Sequence, residues 1–88
     1  MEMTLAWAEL LRLLPQAVGG GFHRVGDAFV QGDAERGWRL RVTRLQGPRL
    51  GALELERLGL EWEFLGFSPQ EQEAFLARFR LHFHKGGG

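Results

Sequence analysis

Hydrophobic residues recur at helical spacing in the first part of the chain. Between residues 5 and 14 the apolar positions return every three or four residues, with a narrow polar stripe between them. Thr4 can cap this first helix, and Pro15 is predicted to end or kink it. The apolar side chains cover more of the helix than the single stripe that a surface helix needs. The pattern therefore predicts that this helix has a second contact besides its own core.

The excess of apolar surface on the first helix predicts self-association. Burial against a second copy would stabilise a domain of 88 residues, whose core is small. We expect a twofold homodimer, the commonest soluble assembly, with its interface at Trp7, Leu10 and Leu13. The alternative is that the sheet and a second helix cover both sides of the first helix within one chain.

Strands in hairpins are predicted downstream of three consecutive glycines at residues 19–21. Short apolar runs alternate there with polar residues between turn signals. The first strand is expected around residues 28–31 and the second at residues 38–45. In the second strand Trp38, Leu40 and Val42 share one face, and the arginines between them share the other.

The third predicted strand is the run ALELE at residues 52–56, with Glu54 and Glu56 facing outward. A turn in QGPRLG, residues 46–51, is expected to join it to the second strand. In the run that follows, the apolar residues change parity. They are Leu58, Leu60, Trp62 and Phe64. A strand cannot change its buried face without an extra residue, so we expect a bulge or a break at residues 57–59.

The last third of the chain predicts a second helix with strong start signals. Ser68 is placed as its cap, Pro69 at its first position, and Glu71 three residues after the cap completes a capping box. Aromatic residues follow at four-residue spacing, at Phe75, Phe79 and Phe83. Glycines at residues 86–88 are expected to end the helix.

These elements predict one small α+β domain spanning residues 1–88. Its core would be an antiparallel sheet of three or four strands. The N-terminal and C-terminal helices would pack together on one face of that sheet, and the charged face would remain exposed to solvent.

The formal net charge is zero, yet the charges are sorted along the chain. The second strand carries arginines and the third carries glutamates, so a hairpin would bring Arg39 and Arg41 opposite Glu54 and Glu56 on the outer face. Such pairs fix strand register and keep an exposed sheet soluble. The sharper interpretation is that these four residues form an interaction face.

Nucleic acid is disfavoured as a partner, although helix, three strands and helix is also the order of double-stranded-RNA-binding domains. A protein that binds the phosphate backbone needs surplus positive charge directed at it. Here Glu71 and Glu73 lie at the start of the second helix, where phosphates would have to be met, and the chain has no lysine cluster.

The chain is poor in residues that carry catalysis. Its hydroxyl and thiol groups are Thr4, Thr43 and Ser68, and two of these are predicted to cap helices. Cysteine is absent, which excludes thiolate metal sites and cysteine nucleophiles. We therefore predict that the protein is not an enzyme and uses no cofactor.

Two further patterns fail as binding motifs. Gly21 and Gly26 have the spacing of a phosphate-binding loop, but the lysine and hydroxyl residue that must follow are replaced by aspartate and alanine. His82 and His84 are two residues apart, so on a helix they point in divergent directions and make a poor metal site. No metal ligand is predicted.

The chain ends in glycines that resemble, over two or three residues, the tail of sulfur carriers and ubiquitin-like modifiers. That resemblance implies an extended tail in which Gly87 and Gly88 are activated by a partner enzyme. It is the alternative to our main hypothesis, a non-catalytic interaction or adaptor domain with an unidentified protein partner. The start of the chain lacks a basic signal-peptide region and no stretch reaches the ~20 apolar residues of a membrane span, which favours a cytoplasmic location.

Overall fold

A computed structural model of the chain describes residues 1–47 and 49–87, with side chains described as far as residue 83. It is an α+β fold with the helices and the antiparallel sheet that the sequence predicts. The elements, in chain order, are β1 (Glu2–Met3), α1 (Trp7–Val18), β2 (His23–Val25), β3 (Ala28–Gly32), β4 (Gly37–Leu45), β5 (Arg49–Leu50), β6 (Leu53–Glu54), β7 (Arg57–Leu65) and α2 (Pro69–Gly87).

Over the described residues the main sheet has five strands in the order β1-β7-β4-β3-β2, one more than the upper limit of the prediction. The long strands β4 and β7 pair antiparallel along their whole length, from Gly37 opposite Leu65 to Leu45 opposite Arg57. The edge strands β1 and β2 are two and three residues long. Strands this short contain too few positions for an alternation to be visible in the sequence.

The strand predicted at residues 52–56 is wrong. Only Leu53 and Glu54 are in a strand, β6, which pairs with β5 in a separate two-stranded hairpin. The bulge or break expected at residues 57–59 is misplaced as well, because β7 is continuous from Arg57. The interruption lies at residues 55–56 and separates the two sheets. The turn predicted around Pro48 lies partly outside the described residues.

Helix α1 differs from its prediction at both ends. Its N-cap is Ala6, which makes no side-chain capping hydrogen bond, so Thr4 is not the cap. The chain before the helix is extended because the Leu5 amide donates to the Glu56 carbonyl at 3.1 Å. Pro15 does not end the helix. The end comes at Gly19, whose positive φ of 85° lets its amide donate to the Pro15 carbonyl.

Helix α2 begins with the capping box that the sequence predicts. The Ser68 hydroxyl accepts a hydrogen bond from the Glu71 amide at 3.1 Å, and the Glu71 carboxylate accepts one from the Ser68 amide at 2.9 Å. These two bonds satisfy amide groups that have no partner inside the helix.

Both helices pack on one face of the main sheet, as predicted, and enclose a single hydrophobic core. Leu40 and Leu60 contribute from the sheet, Leu10 and Leu14 from α1, and Phe79 from α2, all with at most 2 % of their surface exposed. Aromatic rings link α2 to the sheet, since Trp62 lies 5.2 Å from Phe75 and 5.0 Å from Phe79 between ring centroids. The opposite face of the sheet, which we call the outer face, is free of helices in the described part of the chain.

Candidate interaction surface

The centre of the outer face carries two columns of charge on neighbouring strands. The arginine column consists of Arg39 and Arg41 on β4, and the glutamate column consists of Glu61 and Glu63 on β7. Arg39 is registered opposite Glu63, and Arg41 opposite Glu61. All four residues are exposed, because alternate residues of both strands bury the core and leave the intervening ones in solvent.

The structure corrects the acidic half of the predicted charge ladder. Glu54 lies opposite Arg49 in the β5–β6 hairpin, and neither Glu54 nor Glu56 is paired with β4. The prediction placed the next strand beside β4, whereas the chain first forms the small hairpin and only then returns as β7. The signal for the true partners was the parity of the run from Leu58 to Phe64, which leaves its glutamates on the outer face.

The arginine column and the glutamate column form no ion pairs with each other within the described residues. Across the described residues, oppositely charged atoms within 4 Å join Arg12 to Glu9, Arg36 to Glu71 and Arg57 to Glu2. None of these pairs includes a residue of the two columns. Their charged groups therefore attract each other through solvent, where an ion pair contributes little, and remain available to a partner.

A hollow of about 360 Å³ lies at one end of the columns. Arg39 and Glu63 line one part of it, and Leu65, with 52 % of its surface exposed, borders it. Gly32 and Gly37 contribute to the lining without side chains, since they are paired where β3 and β4 approach closely. A Cβ atom on Gly37 would collide with the Gln31 carbonyl oxygen, so the close approach itself requires glycine.

Further apolar side chains flank the columns. Val25, with 55 % of its surface exposed, lies on the edge strand β2, and Leu45, with 36 %, lies at the far end of β4. Both belong to the outer face by strand parity. The surface thus combines a charged centre with an apolar margin at several points.

The predicted dimer interface on α1 is largely occupied within the chain. Leu10 is fully buried and Leu13 has 9 % of its surface exposed, so neither side chain is free to meet a second copy. Trp7 is half-buried against Phe29, at 6.0 Å between ring centroids. Sheet and α2 cover α1 from two sides, and this is the alternative that the sequence left open. Leu10 and Leu13 are therefore core residues of the single chain, and an interface that includes Trp7 stays a prediction.

Trp7 also receives two cations on its ring. The guanidinium carbons of Arg24 and Arg44 lie 5.0 and 5.2 Å from the ring centroid. Contacts of this kind are favourable at partly exposed aromatic rings. They cover part of the Trp7 ring from within the chain, and the side chain remains half-buried.

Two carboxylates have a lowered pKa. Hydrogen bonds from the Glu35 and Arg36 amides lower the pKa of Asp33, which closes the loop between β3 and β4. The Ser68 amide, followed by the Arg36 side chain, lowers the pKa of Glu71 in the capping box. Both arrangements are local supports of the fold and lie outside the charge columns.

The remaining sequence candidates do not come together as a chemical site. His82 Nδ1 lies 3.0 Å from the Arg78 carbonyl oxygen within α2, while the side chain of His84 is outside the described residues. Among the side chains described, no group of three or more His, Asp or Glu residues is placed to hold a metal ion. The α2 backbone is helical as far as Gly87, and Gly88 lies outside the described residues.

No family model, curated protein or solved structure matches the chain. Within the described residues, neither α1 nor α2 has the length and apolar character needed to cross a membrane. The structure itself is therefore the basis for any statement about function.

Proposed function

We propose that the protein is a non-catalytic interaction domain that binds another protein through the outer face of its five-stranded sheet. The proposal rests on the difference between the two faces of the sheet. Two helices cover one face, while the charge columns on the other face are exposed. Exposed apolar residues at its margin, such as Leu65 and Val25, add surface that a partner can bury.

The charge pattern favours a protein partner over nucleic acid. A phosphate backbone would meet the arginine column favourably and the adjacent glutamate column unfavourably. A protein surface can present both signs of charge in matching positions, and such complementarity fixes the orientation of two partners. A cytoplasmic location is also part of this proposal.

The proposal that catalysis is absent is supported by the use of the hydroxyl groups. Ser68 is engaged as a helix cap. Thr43 lies on the outer face opposite Gly59, and no histidine is registered beside it in the described part of the sheet. Nucleophilic catalysis needs a general base that is free to take the hydroxyl proton. The Glu71 carboxylate beside Ser68 is instead engaged by the Ser68 amide and by Arg36.

The carrier hypothesis remains the alternative, with no observation in its favour. It requires Gly87 and Gly88 to extend from the domain as a flexible tail. The α2 helix includes Gly87, which is not the conformation that an activating enzyme would need.

A site-specific crosslinking experiment tests the proposal. Because the chain has no cysteine, T43C places a single thiol-reactive photo-crosslinker on the outer face, and R80C places one on the exposed side of α2. Each labelled protein is irradiated alone and in extract of the source cells. We expect protein adducts from T43C and none from R80C. Equal adduct formation by the two variants, or none by either, would contradict the proposal.

A further inference from the structure

We propose that the outer face binds a second copy of the chain, with a twofold axis that runs parallel to the strands midway between β4 and β7. This inference rests on the proposed function, since it names the partner of the same surface. It is carried by the register of the two central strands, in which each residue of one column has a residue of opposite charge directly across.

Rotation by 180° about such an axis exchanges β4 and β7 between two stacked sheets. Every residue of β4 then lies over the β7 residue with which it is registered in its own chain. Arg39 faces Glu63 of the second copy, and Arg41 faces Glu61 of the second copy. Because the interface is isologous, each of these contacts occurs twice.

The same rotation matches shape as well as charge. Gly37 is registered opposite Leu65, so Leu65 of one copy lies over Gly37 of the other. Leu65 has 52 % of its surface exposed, and Gly37 and Leu65 both line the hollow at that end of the face. Each Leu65 can therefore enter the hollow of the other copy, which buries apolar surface that is exposed in the single chain.

Sorting of charge by strand also excludes the competing twofold arrangement. An axis at right angles to the strands would place β4 over β4 and β7 over β7, which brings arginine against arginine and glutamate against glutamate. Like charges in contact oppose association. The charge pattern therefore selects one orientation, in addition to attracting a second copy.

The geometry is compatible with ordinary sheet packing. Two stacked sheets lie about 10 Å apart with their strands about 30° from parallel. With the axis parallel to β4 and β7, these central strands of the two copies run parallel and keep their register, and the twist of each sheet makes the edge strands diverge. Arginine and glutamate side chains are long enough to meet across such a gap. Each charge then faces an opposite charge of the second copy, which offsets the cost of its desolvation.

Charge reversal tests the inference by sedimentation equilibrium at micromolar concentrations. The wild type should sediment as twice the chain mass of 10.0 kDa. The variants R39E/R41E and E61R/E63R should each dissociate roughly tenfold or more easily, because their faces carry one sign of charge. An equimolar mixture of the two should recover a dimer of wild-type affinity.

The fourfold reversal R39E/R41E/E61R/E63R is the matched control. It preserves opposite charges across β4 and β7 within the chain and between copies, so it should dimerise like the wild type. Thermal unfolding of each variant reports whether it folds. If the double variants R39E/R41E and E61R/E63R do not fold, L65E supplies the test. It leaves the columns intact and places a charge in the hollow of the second copy.

The possible outcomes separate this inference from the proposed function. A wild type of 10.0 kDa at every concentration, or a dimer insensitive to the reversals, overturns the twofold arrangement. If T43C then crosslinks a different protein in extract, the interaction function stands and only the partner is wrong. Absence of both dimer and adduct overturns both.

Discussion

At the scale of single residues, two tryptophans in the same aromatic cluster have opposite hydrogen-bonding situations. The Trp38 ring N–H donates to the Gln31 side-chain oxygen at 2.8 Å, and the Gln31 amide nitrogen donates to the Gly20 carbonyl. Gln31 thereby ties the glycine turn after α1 to the sheet. The Trp62 ring N–H is buried without a partner among the described residues, and a buried donor in this state costs free energy.

We predict that W38F destabilises the protein by about 1 to 2 kcal/mol more than W62F. Both substitutions remove the same atoms, but W38F also leaves the Gln31 oxygen without its donor, whereas W62F removes a donor that has no acceptor. Chemical denaturation of the two variants measures the difference. A double-mutant cycle with Q31L should show coupling to Trp38 and none to Trp62. Equal losses would mean that the Trp38–Gln31 bond contributes nothing net.

The capping box gives a second prediction at this scale. S68A should lower the free energy of unfolding by about 1 kcal/mol, because the Glu71 amide loses its acceptor. S68D, which preserves an acceptor at the cap, is the control and should unfold near the wild type. An unchanged midpoint for S68A would show that the hydroxyl does not act as a cap.

Glu71 makes the same helix end sensitive to pH. The Ser68 amide and Arg36 lower its pKa below the usual value. A lowered pKa in the folded state means that the carboxylate contributes stability above its unfolded pKa and that this contribution is lost as the pH falls through the folded pKa. E71Q should therefore be less stable than the wild type near pH ~7, and the difference should shrink toward pH ~3. A difference independent of pH in thermal unfolding would contradict this assignment.

At the scale of elements, Arg36 connects the loop between β3 and β4 to the start of α2. Its guanidinium donates to the Gly66 carbonyl and to the Glu71 carboxylate at 2.6 and 2.8 Å, and it lies 4.1 Å from the centroid of the Phe67 ring. One side chain thus holds the hairpin against the turn that leads into the helix.

We expect R36A to cost about 1 kcal/mol, a magnitude typical of a half-exposed cation with an aromatic and a carboxylate contact. R36K retains the charge but not the forked geometry that reaches two acceptors, so it should recover only part of the loss. Hydrogen exchange of the α2 amides gives a local measurement, and exchange should accelerate in the first turn. Uniform acceleration across the sheet would indicate a global effect instead.

The elements that the sequence predicts well are those that repeat a pattern over many residues. Strand β4 alternates from Trp38 to Thr43, and α2 carries a complete capping box, so local chemistry alone specifies them. Strands β1 and β2 exist because the chain ends and turns bring them beside a sheet edge, which no local pattern encodes. Thr4 failed as a cap because the Leu5 amide pairs with Glu56, a contact between distant parts of the chain.

The candidate surface was half predictable for the same reason. Arg39 and Arg41 follow from the alternation of β4 alone. Their partners depend on which strand lies beside β4. The turn signal at residues 46–51 predicts a hairpin with the next strand, whereas β5, which lies in this segment, pairs with β6 in a separate hairpin. Register in the sheet is set by the buried face of β7, so the parity of Leu58 and Leu60 was the better guide.

At the scale of the whole molecule, the fold places its apolar burial and its charge on opposite sides of one sheet. The helix layer completes the core and buries most of the apolar excess of α1, while Leu11 keeps 39 % of its surface exposed. Self-association through α1 would be driven by apolar contact, while self-association through the outer face would be driven largely by charge. Added salt weakens association that is driven by charge and does not weaken association that is driven by apolar contact.

We therefore predict that the dimer weakens as sodium chloride rises from about 50 mM to about 500 mM, where the screening length falls from roughly 14 Å to roughly 4 Å. The four residues of the columns are exposed in the single chain, so added ions screen the attraction between the two faces as the copies associate. The fourfold charge reversal should show the same dependence, because it exchanges the signs without removing the contacts. Sedimentation equilibrium across the salt series measures the dissociation constant directly. A dimer that tightens or is unchanged with salt would instead place the interface on an apolar surface, and the charge columns would then serve only to fix the register of β4 and β7.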